Sequence, residues 1–168
     1  MSERTDACPG CGLVLPASDG PTHAYMGASA ACWALYGEVL AHEYGALDYP
    51  SDHRTCVDAY AVQHPGHPER RSIQSVGVHL MGLCLVFDRD LEPGRVTEVL
   101  GRRDKRLVEF RWLEPPQPNA TLTVRDVLGP GGAEEHIGRV MRWAEDVWRA
   151  WEAHHDTVNR WLDQSLTG

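Results

Sequence analysis

The sequence predicts a mainly α fold: a four-helix bundle-like core with an N-terminal zinc knuckle and a small extended or β insert. Three observations carry this prediction. Apolar residues recur at spacings of three and four through residues 23–44, 72–87 and 133–166. Pro and Gly punctuate the chain between those stretches, at Gly45, at Pro65-Gly66 and in the GPGG of residues 129–132. The chain also opens on CPGCG, residues 8–12, two cysteines on a tight turn. A length of 168 residues with 42% hydrophobic and 24% charged residues suits one domain with a real core. Its expected divisions are the knuckle and lead-in (1–22), three helices (23–90), an irregular or β insert (91–131) and a long C-terminal helix (132–166).

The first helix is expected over 23–44, with Thr22 as N-cap and Gly45 as C-cap; Tyr25, Ala28, Cys32, Leu35 and Val39 form its apolar stripe. A second should start at the N-cap Asp52 and run to His64, where Pro65 and Gly66 stop it. The third spans 72–87, with Ile73, Val76, Leu80, Leu83 and Phe87 on one face and Ser72, Ser75 and His79 on a narrower polar one. A short helix is predicted near 95–102. The alternation over 107–113 reads as a strand, and 121–124 as its partner across the rigid EPPQP break. In the last helix Val140, Trp143, Val147, Trp151, His154, Val158 and Trp161 share a face, so His154 or its neighbour His155 should point inward.

Charge and cysteine usage narrow the class. A net charge of −8 argues against a general affinity for nucleic acid or anionic membrane. The N-terminus reaches the knuckle without an apolar run, and the longest apolar stretch, 76–87, is too short for a membrane span. The expected location is the cytoplasm, where thiols stay reduced, and an odd count of five cysteines argues against a disulfide framework. Cys32, Cys56 and Cys84 stand alone in apolar segments and read as small buried residues.

The CPGCG turn aims two thiolates at one point, which is half of a tetrahedral zinc site; one zinc per chain is expected. No second CxxC follows, so the remaining ligands should be histidines. His23 is the nearest in sequence, and His154 is the favoured ligand from the last helix, with His155, His53 and His79 as alternatives. A redox dithiol is the competing reading of the turn, although no strand–helix context of the thioredoxin kind surrounds it. A second constellation lies in 52–64. Tyr60 and His64 share a helix face, Arg54 can pair with Asp58, and His79 can meet the group from the third helix. Asp58, His64 and His79 would supply general acid–base chemistry; the alternative is a buried network that holds the helices together. Serine-hydrolase, zincin, Walker and dinucleotide signatures are missing.

Five segments resemble a bacterial family of uncharacterised proteins, a domain of unknown function. They are CPGCG, GPTHAYMGASAACWALYGEVLAHEY, HRTCVDAYAVQHPG, IQSVGVHLMGLC and WAEDVWRAWEAHHDTVNRW, about half the chain. The resemblance implies that Cys8, Cys11, His23, Asp58, Gln63, His64, His79, His154 and His155 belong to family motifs, and it carries no reaction with it. As fold analogy only, the helices with inward histidines are similar to the metal-binding four-helix proteins of the DinB-like type, from which the cysteine knuckle and the insert depart.

Two functional expectations follow. One is a zinc-dependent enzyme acting on a small molecule by hydrolysis, elimination or group transfer, the metal keeping an open position. The other is a non-catalytic partner-binding or regulatory module whose zinc has four protein ligands; an exposed cluster among Trp143, Trp148, Trp151 and Trp161 would favour it.

Overall fold

The structure, a computed structural model, describes residues 4–166. It is mostly helical. The strands β1 (Thr5–Ala7) and β2 (Val14–Pro16) form an antiparallel hairpin, with Asp6 opposite Leu15. The helices α1 (Ala30–Tyr44), α2 (His53–Gln63), α3 (Arg70–Phe87), α4 (Val96–Gly101), α5 (Ala133–Ala150) and α6 (His155–Leu166) follow. α2 is the central element and packs on both α3 and α5, while α6 returns against α3. No helix among the described residues is long and apolar enough to cross a membrane.

α1 and α2 run antiparallel, and their paired side chains show the register. Cys32 meets His64, Tyr36 stacks on Tyr60 at 3.8 Å between ring centroids, and Glu43 meets His53. Each step forward on α1 is a step back on α2. The start of α1 therefore lies beside the end of α2, and the reverse holds at the other end of the pair.

The sequence places the start of α1 at His23, seven residues early. Ser29 is the actual N-cap, its Oγ accepting from Cys32 N–H at 3.2 Å. The preceding turn is instead held by His23, whose Nδ1 accepts from the N–H groups of Tyr25 and Met26 at 3.3 and 3.1 Å. Gly45 closes α1 as expected, donating to Ala41 O. Asp52 occupies the N-cap position of α2, yet its side chain makes no capping bond.

The insert differs from the sequence reading. Residues 107–123 form no ladder, and the expected second strand, 121–124, is irregular backbone that runs into a 3₁₀ turn, Val124–Val127. The physical reason lies in who satisfies the backbone. Gln63 Nε2 on α2 donates to the carbonyls of Asn119 and Leu122 at 2.9 and 2.8 Å. On the other side, Asp146 Oδ2 on α5 accepts from the N–H groups of Thr121 and Leu122, both at 2.7 Å. With helix side chains supplying these partners, no neighbouring strand is required. The sheet of this protein is at the knuckle instead.

The predicted long C-terminal helix is two helices joined by a 3₁₀ turn, Glu152–His154. Trp151 marks the bend. Its Nε1 donates to the buried Asn119 Oδ1 at 3.1 Å, and its backbone N–H turns to Trp148 O at 3.0 Å. The apolar stripe nevertheless faces inward along both pieces. Trp143, Trp148, Trp151 and Trp161 are all buried, the most accessible of them at 6%. Truncating such a side chain to Ala costs about 3–5 kcal/mol.

Candidate metal centre

The hairpin brings Cys8 and Cys11 to the end of the α1–α2 pair where Cys32 and His64 lie. Their ligand atoms are all within 4.8 Å of one another. Cys32, read from the sequence as a packing residue, is therefore a member of the cluster. It sits in the first turn of α1 and is fully buried, as are Cys8 and His64, while Cys11 is half-buried. His23 and His154, the ligands the sequence favours, lie outside. His23 Nδ1 is spent on the turn before α1, and His154 Nε2 bonds to Glu114 O at 2.8 Å. His155 stacks on Trp148 at 3.7 Å and donates to Trp148 O at 2.8 Å.

The donor set fits a tetrahedral ion. Zn–S bonds of about 2.3 Å and Zn–N bonds of about 2.0 Å place sulfur atoms about 3.8 Å apart and sulfur about 3.6 Å from nitrogen. Cys11 Sγ and Cys32 Sγ are 3.9 Å apart, and Cys32 Sγ is 3.4 Å from His64 Nε2. His64 Nδ1 donates to Tyr60 O at 2.7 Å, which assigns the proton to Nδ1 and leaves Nε2 as the ligand atom. Two further groups support the sulfurs: Ser29 N–H donates to Cys8 Sγ at 3.5 Å, and Tyr60 O–H to Cys32 Sγ at 3.6 Å. Gly10 makes the approach sterically feasible. A Cβ there would lie 2.5 Å from His64 Cδ2 and 2.7 Å from Gln63 O.

Electrostatics gives the same reading of the donors. Hydrogen bonds from the Cys11 and Cys32 thiols hold Cys8 well below the ordinary thiol pKa, against its burial. Cys11 and Cys8 in turn push Cys32 far up, because a second thiolate beside the first is repelled. Burial favours a neutral His64, but Cys11 and Cys8 outweigh it and raise the ring to about 9. Without a metal, the charge of the Cys8 thiolate is thus balanced by protons kept on the neighbouring thiol and on the His64 ring. A divalent cation replaces those protons, since it accepts all the thiolates at once.

The other constellation read from the sequence is formed in part. His79 Nδ1 is 2.6 Å from Asp58 Oδ1, across the α2–α3 interface, and Arg54 Nε donates to the same oxygen at 2.7 Å. Asp58 is buried, while His79 and Arg54 are partly accessible. Gly82 on α3 accommodates the carboxylate: a Cβ there would come within 2.1 Å of Asp58 Oδ2. His79 opens onto a cleft of about 610 Å³ lined also by Tyr25, Arg70, Arg71, Gln74 and Ser75. His64 does not join this pair. Its Nε2 faces Cys32 Sγ and its Nδ1 donates to Tyr60 O.

Gln63, the residue before His64, is a buried hub that sequence reasoning placed in a motif without a role. Besides its two carbonyl partners in the insert, its Oε1 accepts from Trp143 Nε1 at 3.0 Å. Asn119 answers it, donating to Val62 O and Gln63 O at 3.1 and 3.3 Å. These bonds hold the end of α2, and with it His64, against the insert and α5.

The molecule is thus a mostly helical protein with a Cys₃His cluster that joins an N-terminal hairpin to the α1–α2 pair. The chain belongs to DUF5946, a family of unknown function, whose model matches residues 6–152. That span includes the whole cluster together with Asp58 and His79, and it ends before His154. No curated protein and no solved structure matches the chain significantly.

Proposed function

We propose that Cys8, Cys11, Cys32 and His64 hold one zinc ion per chain as a structural ion, and that the protein is an enzyme whose chemistry is carried by the Asp58–His79 pair. The observation that carries the first half is the count of donors: four protein ligands complete the tetrahedral shell that zinc takes in structural sites. A version in which the metal itself activates water needs an open position and is set aside. Soft thiolate donors with one imidazole favour zinc over harder ions. When bound, the ion ties the hairpin to α1 and α2.

The second half rests on the 2.6 Å contact between His79 Nδ1 and Asp58 Oδ1 at the edge of the cleft. The buried carboxylate orients the ring, so His79 Nε2 is placed to take a proton from a bound molecule and return it. Arg70 and Arg71 on the same wall favour a small anionic substrate, such as a carboxylate or phosphate ester. The partner-binding alternative draws no support from Trp143, Trp148, Trp151 and Trp161, which are core residues.

A screen of the zinc-loaded protein against small carboxylate and phosphate esters tests this reading, each hit being repeated with His79→Gln and Asp58→Asn. A loss of about 10²–10⁴-fold in both variants, at unchanged metal content, is the expected result. Turnover that survives both substitutions would remove the pair from the chemistry.

A further inference from the structure

The opposite end of the α1–α2 pair carries a second cluster. Glu43, at the end of α1, is fully buried. Its Oε2 lies 2.6 Å from His53 Nδ1 and its Oε1 2.7 Å from His136 Nε2 on α5. Asp52 is also fully buried, and both of its carboxylate oxygens lack a hydrogen-bond partner. Among the described residues no other side chain has two carboxylate oxygens in that state. One donor atom each from Glu43, Asp52 and His136 lies within 4.8 Å of the others.

Packing alone does not account for Asp52. A residue at an N-cap ordinarily turns its oxygen onto the first helical N–H groups, and here it does not. An ionised carboxylate without hydrogen bonds costs several kcal/mol when buried, more so beside the carboxylate of Glu43. Two histidines flank Glu43, but neither hydrogen-bonds to Asp52.

The geometry points to a second metal site, in which Glu43, Asp52 and His136 bind a divalent first-row transition ion. Two carboxylates and one imidazole are harder donors than the thiolates at the other end, so the site takes Mn²⁺, Fe²⁺ or Zn²⁺ and accepts Mn²⁺ far better than the cysteine cluster does. His53 is an orienting group: its Nδ1 holds Glu43 while its Nε2 lies 3.3 Å from Tyr44 O–H. It is also the most accessible member, at 7%, and its ring lies against those of the exposed Tyr44 and Tyr49. Binding at His136 Nε2 replaces its 2.7 Å contact with Glu43 Oε1, the neutral ring then carrying its proton on Nδ1.

The test is equilibrium dialysis against Mn²⁺ of the full chain loaded with a single equivalent of zinc, which the thiolates take first, with both metals counted by elemental mass spectrometry. About one Mn²⁺ per chain is expected beside about one zinc, with a higher Tm. Asp52→Asn and His136→Gln should each weaken Mn²⁺ binding at least tenfold and leave the zinc in place. Cys11→Ser should do the reverse, so failure here is distinguishable from failure of the cysteine site. Dialysis of the unsubstituted protein against Zn²⁺ alone should yield about two equivalents, a count that needs no variant to fold. The site is overturned by a total of one ion per chain under both conditions, or by Mn²⁺ binding that both substitutions leave unchanged.

Discussion

The two ends of the α1–α2 pair hold clusters of opposite character. At one end three sulfurs and an imidazole converge, and the groups around them serve them: Tyr60 O fixes the His64 ring, and Ser29 N–H and Tyr60 O–H donate to sulfur. At the other end two buried carboxylates and two histidines meet, and the Asp52 carboxylate is served by no hydrogen bond. About 17 Å of helix separates Cys32 from Glu43 on α1. The difference teaches that burial alone does not define a site. The outer hydrogen bonds declare which donors the fold has already arranged, and an orphaned carboxylate declares a donor still owed a partner.

The largest effect is expected from emptying the cysteine end. Cys8→Ser with Cys11→Ser removes half the ligands and, with them, the anchor of the hairpin. An ion present at a thousand times its Kd stabilises the fold by about 4 kcal/mol. For a chain of this size its loss should lower Tm by roughly 8–16 °C, measured by calorimetry with and without chelator. An unchanged Tm would show that the hairpin and helices hold without the ion.

Next comes the polar hub beside the ligand. Gln63→Leu strands the Trp143 indole N–H and the Asn119 and Leu122 carbonyls, so a cost of about 2–4 kcal/mol is expected in denaturant unfolding. Zinc affinity should fall with it, because His64 is the adjacent residue. A stability loss with zinc affinity intact would show that the hub and the ligand are independent.

The carboxylate end should respond in the opposite sense once metal is removed. Burial, and then the charge of Glu43, raise the Asp52 carboxyl from 3.8 to about 6 in the folded protein. The folded state thus keeps this proton to a higher pH than the unfolded state does. Folding stability contributed by this group falls as pH rises from about 4 to 6, and the deficit persists above 6. Asp52→Asn should therefore stabilise the metal-free protein at pH 7 by on the order of 1–3 kcal/mol, and flatten the decline between pH 4 and 6. Denaturant titrations at several pH values read both effects. With Mn²⁺ present the comparison should reverse, the unsubstituted chain becoming the more stable one.

The smallest change sits between the two ends. Gly82→Ala introduces a methyl where Asp58 lies, and an overpacking cost of about 1–3 kcal/mol is expected. The Asp58–His79 contact should open, visible as altered imidazole signals by NMR, while metal content stays the same. Unaltered signals would show that the pair is not held by α3 as the structure has it.

Much of this was legible in the sequence, and the reasons are local. The CPGCG turn, the α2 stop at Pro65-Gly66 and the Gly45 cap depend on residues within a few positions of one another. The Asp58–His79 contact was foreseeable because helical spacing puts each on a definite face. Cys32 was missed because a lone cysteine in an apolar stripe looks the same whether it packs or binds. That His64 faces the cysteines rather than Asp58 and His79 was not legible, because its motif shows a histidine near a tyrosine and an aspartate, not which nitrogen faces which partner. The strands expected at 107–124 failed because alternation reports one buried face, and side chains of α2 and α5 took the backbone bonds a ladder would have made.

By itself the sequence determined the helical class, the place of the knuckle and the breaks between the first three helices, since periodicity and turn chemistry act over a few residues. Only the tertiary structure decided which donors meet. Cys8 and Cys32 lie twenty-four positions apart, and Glu43 and His136 ninety-three. Their convergence depends on the antiparallel register of α1 and α2 and on how α5 packs across them. That packing is a property of the whole core, which no local pattern in the chain encodes.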